Sequence, residues 1–318
     1  MNEKLATPDS LRAVETVFRD ELSRGDATAQ TVLPILRHLI GAEDNSVFSD
    51  EILARVRGMV GDLARQLLDA VASTCGSEGA GAGLRMERVA QALLDNPQLL
   101  AHVHSLALEW QLTERLQHRL ALDPVVSPLL QALISAADPA TQDTAMRFLA
   151  AQARWCQAQR RMTLALVELP AEILHAALMT LGVMAAGDPR LSENLALVQA
   201  DVRARYDEGA SRLGLAAHLL FTLGGGVQAA LSLDSAGLAL FLTALGFSSG
   251  QDREQVVFST HESQLARLAL ALRASGLKSA TVEREFLAFH PDITLPEGFE
   301  AIGVDRAAAL LAAGEGTR

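Results

Sequence analysis

Aromatic residues are scarce in this chain: they make up 4% of its 318 residues, although hydrophobic residues as a whole make up 49%. The apolar material is therefore mainly Ala, Leu, Val and Ile. That argues against intrinsic disorder and favours many closely packed helices, since Ala and Leu have high helix propensity and Ala lets helices approach closely. Cysteine is also nearly absent. Cys75 and Cys156 are too few and too far apart for a disulfide framework or a paired-thiolate metal motif. Positive charge is in deficit, with 27 Lys and Arg against 38 Asp and Glu, for a formal net charge of -11. Such a balance argues against general attraction to nucleic acid or to an anionic membrane, although a local basic patch can escape the average. The start MNEKLATPDS has no apolar signal core, and no uninterrupted stretch near twenty apolar residues follows. No transmembrane segment is expected on these grounds, and a reducing, cytoplasmic setting is the default expectation.

Chemical signatures are missing too. CGSEGAGAG, from Cys75 to Gly83, has no preceding strand, no GxGxxG spacing and no GK[ST] ending, so it reads as a connection between helices and not as a phosphate cradle. The triplet Gly224-Gly225-Gly226 reads the same way, as a tight connection between flanking helices. HExxH is absent, and the two cysteines have no local ligand set for zinc. His102 and His104 project about 200 degrees apart on a helix, which suits shared metal coordination poorly. No cofactor, metal or catalytic residue is expected. The pattern favours a noncatalytic protein over an enzyme without deciding between them.

What is present is helical periodicity. Ser10–Arg24 carries an apolar stripe of Leu11, Val14, Val17, Phe18 and Leu22, and Thr28–Ile40 continues it with Pro34 as a kink or a boundary. Asp50–Val71 is capped by Ser49; Leu84–Leu94 and a long segment from Asn96-Pro97 to Leu120 follow. Asp123-Pro124 and Asp138-Pro139 read as helix starts, because aspartate caps a helix and proline fits its first turn. Further helices are predicted over Ala171–Met184, Ser192–Tyr206, Leu213–Leu223, Ser235–Leu245 and Asp305–Ala313, the last before a fraying GEGTR.

Two segments of the C-terminal half read as a degenerate repeat, with compositional bias toward Ala and Leu as the alternative source of their likeness. AGLALFLTALGFSSGQDREQVVF (Ala236–Phe258) and SQLARLALALRASGLKSATVEREF (Ser263–Phe286) each run from a Leu/Ala-rich helix through a Gly-containing turn into a shorter helix. With the DP starts, these segments resemble uncharacterised helical-repeat proteins of alphaproteobacteria with HEAT-like organisation, over much of residues 120 to 290. The resemblance implies a HEAT-like or α-solenoid-like binding scaffold and transfers no catalytic residue. The expected architecture is all-α, an irregular helical bundle followed by stacked helical pairs. Its expected divisions are an N-terminal helical region at 1–75, a glycine-rich linker at 76–83, a main repeat-like domain at 84–290 and an irregular C-terminal segment at 291–318.

The most unusual local feature is MRFLAAQARWCQAQRR, Met146–Arg161, which contains four arginines and no acidic residue. On a helix Arg147, Arg154 and Arg161 fall within about 40 degrees of one another, while Arg160 lies well away. Phe148, Trp155 and Met162 form a neighbouring stripe, with Gln152 and Gln159 beside it. One reading makes Arg147, Gln152, Arg154, Trp155, Gln159 and Arg161 a partner-binding surface, guanidinium forks gripping anionic groups. The other sends Phe148, Trp155 and Met162 into the core and leaves the arginines in water or ion-paired. The functional expectation is a noncatalytic protein-interaction scaffold, regulatory in kind, with another protein as partner and nucleic acid disfavoured. The alternative is an enzyme or small-ligand receptor whose pocket is formed from distant helices, with Arg154, Trp155 and Gln159 among its residues.

Overall fold

The computed structural model describes residues 8–41, 50–75, 86–186 and 189–315. The stretch 76–83 read as a linker, the cap assigned to Ser49 and residues 316–318 of the closing GEGTR lie outside the described residues. Within them the chain is all-α: α1 Pro8–Gly41, α2 Asp50–Cys75, α3 Met86–Leu94, α4 Pro97–Leu120, α5 Pro128–Ile134, α6 Pro139–Arg160, α7 Ala171–Ala185, α8 Pro189–Ala204, α9 Arg212–Leu223, α10 Leu233–Ser249, α11 Arg253–Ser259, α12 Leu265–Ala274, α13 Ser279–Phe289 and α14 Val304–Glu315. No β-strand occurs among the described residues. The arrangement is mostly irregular, with stacked helix contacts consistent with HEAT-like or solenoid-like packing.

Local chemistry explains where several helices begin. The Asn96 side-chain oxygen accepts from the backbone N–H groups of Gln98 and Leu99, each at 3.0 Å, so α4 starts at Pro97. Asp138 does the same for α6, accepting from the Thr141 N–H at 2.9 Å and its hydroxyl at 2.7 Å. Asp123-Pro124 is not a helix start. Asp123 instead accepts from the N–H groups of Val125 and Val126, both at 2.8 Å, and folds a turn. The helix α5 begins later, at Pro128, with the Ser127 hydroxyl accepting from Leu130 N–H at 3.3 Å. The two N-terminal helices read from the sequence are one, α1, which runs through Pro34. Leu36, fully buried just beyond the proline, gives the last turns packing that offsets the lost backbone hydrogen bond. The glycine triplet continues α9 directly into a 3-10 helix, Gly224–Leu231, with Gly224 at φ +49.

The chain divides into two compact units. One comprises Met1–Val32, Thr113–Ala132 and Leu220–Arg318; the other comprises Leu33–Leu112 and Leu133–Leu219. Their boundaries fall inside α1, α4, α5 and α9.

In the second of these units α2 packs against α3 and α8, and α7 against α3 and α8. Val56, Leu63, Leu67, Val89, Leu99, Leu178 and Val198 form its apolar interior, all without exposure. Burying each such side chain contributes about 1.5 to 3 kcal/mol.

The other unit contains the repeat. Its first copy falls on α10 and α11 and its second on α12 and α13, and in each the turn is Ser-Gly with glycine left-handed, Gly250 at φ +72 and Gly276 at φ +86. In both copies the shorter helix begins three residues after that glycine, at Arg253 and at Ser279. Helix α10 packs on α11 and α12, and α12 packs in turn on α13 and α14. The Phe241 and Phe289 rings meet at 5.6 Å. Phe18 of α1 lies 5.4 Å from Phe299, and Glu15 takes both forks of the Arg306 guanidinium.

Candidate functional site

The described residues bring polar chemistry together on the two sides of α6, which lies wholly within the second unit. Its outer side carries Asp143, Met146, Arg147, Ala150, Arg154, Gln157 and Arg161 just past its end, all exposed. Among the described residues no carboxylate pairs with Arg147, Arg154 or Arg161. Its inner side buries Phe148, Ala151, Gln152, Trp155, Cys156 and Gln159. The six side chains read as one partner surface therefore do not share a surface. The three arginines face solvent, and Gln152, Trp155 and Gln159 face the core, because a 3.6-residue repeat cannot turn both sets the same way.

The inner side joins a ladder of cations and rings. Arg212, at the start of α9, donates through Nη1 and Nη2 to the two Glu109 oxygens at 2.8 and 3.0 Å, with the side chains 2% and 1% exposed. Gln152 Oε1 accepts from the same guanidinium at 3.4 Å. The guanidinium carbon stands 4.1 Å from the centroid of Trp155, whose ring meets Trp110 edge-on at 5.8 Å. Arg55 of α2 closes the ladder at 5.5 Å over Trp110, donating to the Gln159 carbonyl and, at 2.8 Å, to Glu51. A bidentate pair removed from water is held by fixed geometry and is costly to break from one side. Chemically this arrangement locks charge in place. It fixes the rotation of α6 and so the direction in which the outer arginines point.

Sequence reasoning found Trp155, Gln152 and Gln159 as a group but missed Arg55, Glu109, Trp110 and Arg212. A signal for Glu109 existed: it lies seven residues from both His102 and Leu116, on a face of α4 whose other members are buried. A carboxylate there requires a buried partner. Which cation supplies it has no local signature, since Arg212 lies 103 residues further along.

Other candidates stay modest. His102 and His104 are both buried. Cys156 is a buried thiol outside any disulfide, with the Gln152 amide at 3.9 Å from its sulfur. No group of three or more His, Cys, Asp and Glu among the described residues can hold a metal ion. One helical stretch, Arg212–Leu231, reaches the length and apolarity of a membrane span, with a mean hydropathy of 1.3. It is not a clear span: its first residue is tied to Glu109 in the interior, and its backbone changes to 3-10 geometry at Gly224. Comparison with protein-family models, curated proteins and solved structures finds no match for the chain.

Proposed function

We propose that the chain is a noncatalytic protein-interaction scaffold, regulatory in kind, whose α6 outer face receives an acidic surface of a partner protein. The observation that carries this reading is a set of three exposed guanidiniums without carboxylate partners among the described residues, on a helix whose opposite face is fixed in the core. Arginine forks recognise carboxylates with defined geometry, and a helix already held in place loses little freedom on binding. A bacterial pathway and a cytoplasmic setting belong to the same proposal, supported by the resemblance to alphaproteobacterial helical-repeat proteins and by the cysteine usage.

Photo-crosslinking tests it. A crosslinker at Ala150 or Gln157, between the arginines, is expected to give protein adducts in a bacterial lysate that a crosslinker at exposed Ser73 of α2 does not. Equal adducts from all three positions contradict the proposal.

A small-ligand receptor or enzyme is the second reading. It draws on Arg55 Nε, Trp155 Nε1 and Gln159 Oε1, buried polar atoms without a hydrogen-bond partner among the described residues. Arg154, exposed on the other side of α6, does not belong to that group. Native mass spectrometry of the purified chain is expected to show a retained small molecule on this reading and the bare mass on the first.

A further inference from the structure

We propose that the occupant of the α6 outer face is an acidic α-helix laid along it, with carboxylates repeating every seven residues. This deepens the scaffold reading and rests on it.

Several exposed arginines of this unit are ion-paired, although Arg160, off the α6 outer face, has no carboxylate partner among the described residues. Arg37, Arg65 and Arg205 are all more than half exposed, and each is ion-paired. Arg147, Arg154 and Arg161 differ in having no such partner, although the whole chain is acidic. Their cationic chemistry is also of one kind, since lysine occurs only at Lys4 and Lys278. Guanidinium favours planar, two-oxygen acceptors.

Spacing selects the form of the partner. Seven residues advance a helix by about 10.5 Å, so the three guanidinium stems are set along roughly 21 Å of axis. A second helix lying alongside has the same rise and returns to nearly the same face every seven residues, which matches the repeat without distortion. An extended strand fits poorly. It presents one face every two residues, at about 6.6 or 13 Å, and neither interval meets the arginines in register.

The residues between agree. Ala150 is small enough to allow close approach, and Met146, 49% exposed, offers an apolar contact at one end. Asp143 lies on the same side before Arg147, so the face runs acid, base, base, base and gives the bound helix a direction: one cation opposite Asp143, then carboxylates. Nucleic acid fits less well. Phe148 and Trp155, the rings on which bases would stack, face inward, and the net charge of -11 opposes a polyanion.

The test uses the full chain and two synthetic helical peptides of identical composition, rich in Ala and Gln. One carries three Glu at seven-residue intervals, and the other carries the same three Glu spread around its circumference. Binding is read by fluorescence anisotropy at low ionic strength, with a single-stranded DNA as a third probe. The heptad peptide is expected to bind about tenfold more tightly than the spread peptide, a margin of about 1.4 kcal/mol, and to lose binding as salt rises and in the R147E/R154E/R161E variant. An unchanged tryptophan emission shows that this variant keeps the core of α6, and Arg154→Gln alone supplies a milder arm with partial loss. Equal binding of the two peptides, abolished in the charge-reversed variant, overturns the helix and leaves an acidic-partner face. Binding of neither peptide, or tighter binding of the DNA, overturns the helix and the acidic protein partner together.

Discussion

The guanidinium carbon of Arg212 stands 4.1 Å above the ring of Trp155 while both its terminal nitrogens grip Glu109. One side chain of α9 thus fixes an α4 carboxylate and an α6 ring at once. Removing either charge strips the other of its buried bidentate partner, so Arg212→Met or Glu109→Gln is expected to cost about 3 to 5 kcal/mol. The double variant carrying both substitutions is expected to lose less than the two single losses added together. Urea unfolding followed by tryptophan emission measures both, since Trp110 and Trp155 are the only tryptophans in the chain. Strict additivity of the two substitutions contradicts the coupling.

Two glycines of α2 are expected to respond oppositely to alanine. A Cβ on Gly58 would sit 2.7 Å from Met162 Cβ and 2.8 Å from its carbonyl oxygen, and Met162 already holds a left-handed backbone at φ +56. Gly58→Ala is therefore expected to destabilise by about 1 to 3 kcal/mol through overpacking. Nothing lies within 4 Å of a Cβ on Gly61. There the helix gains alanine's propensity, and Gly61→Ala is expected to stabilise by up to about 1 kcal/mol. Melting temperatures moving in the same direction would contradict the close approach of Met162.

Burial, followed by the Arg115 guanidinium, pushes the His290 imidazole down from 6.5 to about 4. Arg119 and His261 act the same way, and Glu262 opposes them. The ring, tilted against Phe286 at 5.4 Å, stays neutral in the fold while the unfolded chain takes up a proton below about pH 6.5. Between those values the unfolded state holds more protons, so stability rises with pH and is lost as pH falls from about 6.5 toward 4, by at most about 3 kcal/mol. Denaturant unfolding at several pH values across that window is expected to show this slope in the native chain and a shallower one in His290→Leu. Identical slopes would assign the dependence to other groups.

Much of the helical framework was legible because it rests on local chemistry. Asn96-Pro97 and Asp138-Pro139 announce α4 and α6 through caps that reach only three residues ahead. Asp123-Pro124 carries the same letters and makes a turn, because its oxygen is taken by Val125 and Val126 and no helical hydrogen bonds continue from it. The Ser-Gly turns of the repeat were visible as letters, though not their shared left-handed glycines. On α6, periodicity correctly separated a charged side from an apolar one, while Gln152 and Gln159 look hydrophilic and turn out buried. Inside, Gln152 accepts from Arg212 and Gln159 donates to the Met59 sulfur at 3.4 Å, and contact over such separations is set by tertiary packing that leaves no mark in either local segment.

The most direct test of the central claim is quantitative capture of proteins from a bacterial lysate by the native chain and by the R147E/R154E/R161E variant, with circular dichroism and tryptophan emission recorded on both. If the outer face of α6 is the interaction site, the reversed chain keeps both spectra and loses the stoichiometric partners that the native chain retains. If it keeps its spectra and retains the same partners in the same amounts, α6 is not the surface through which this protein is bound.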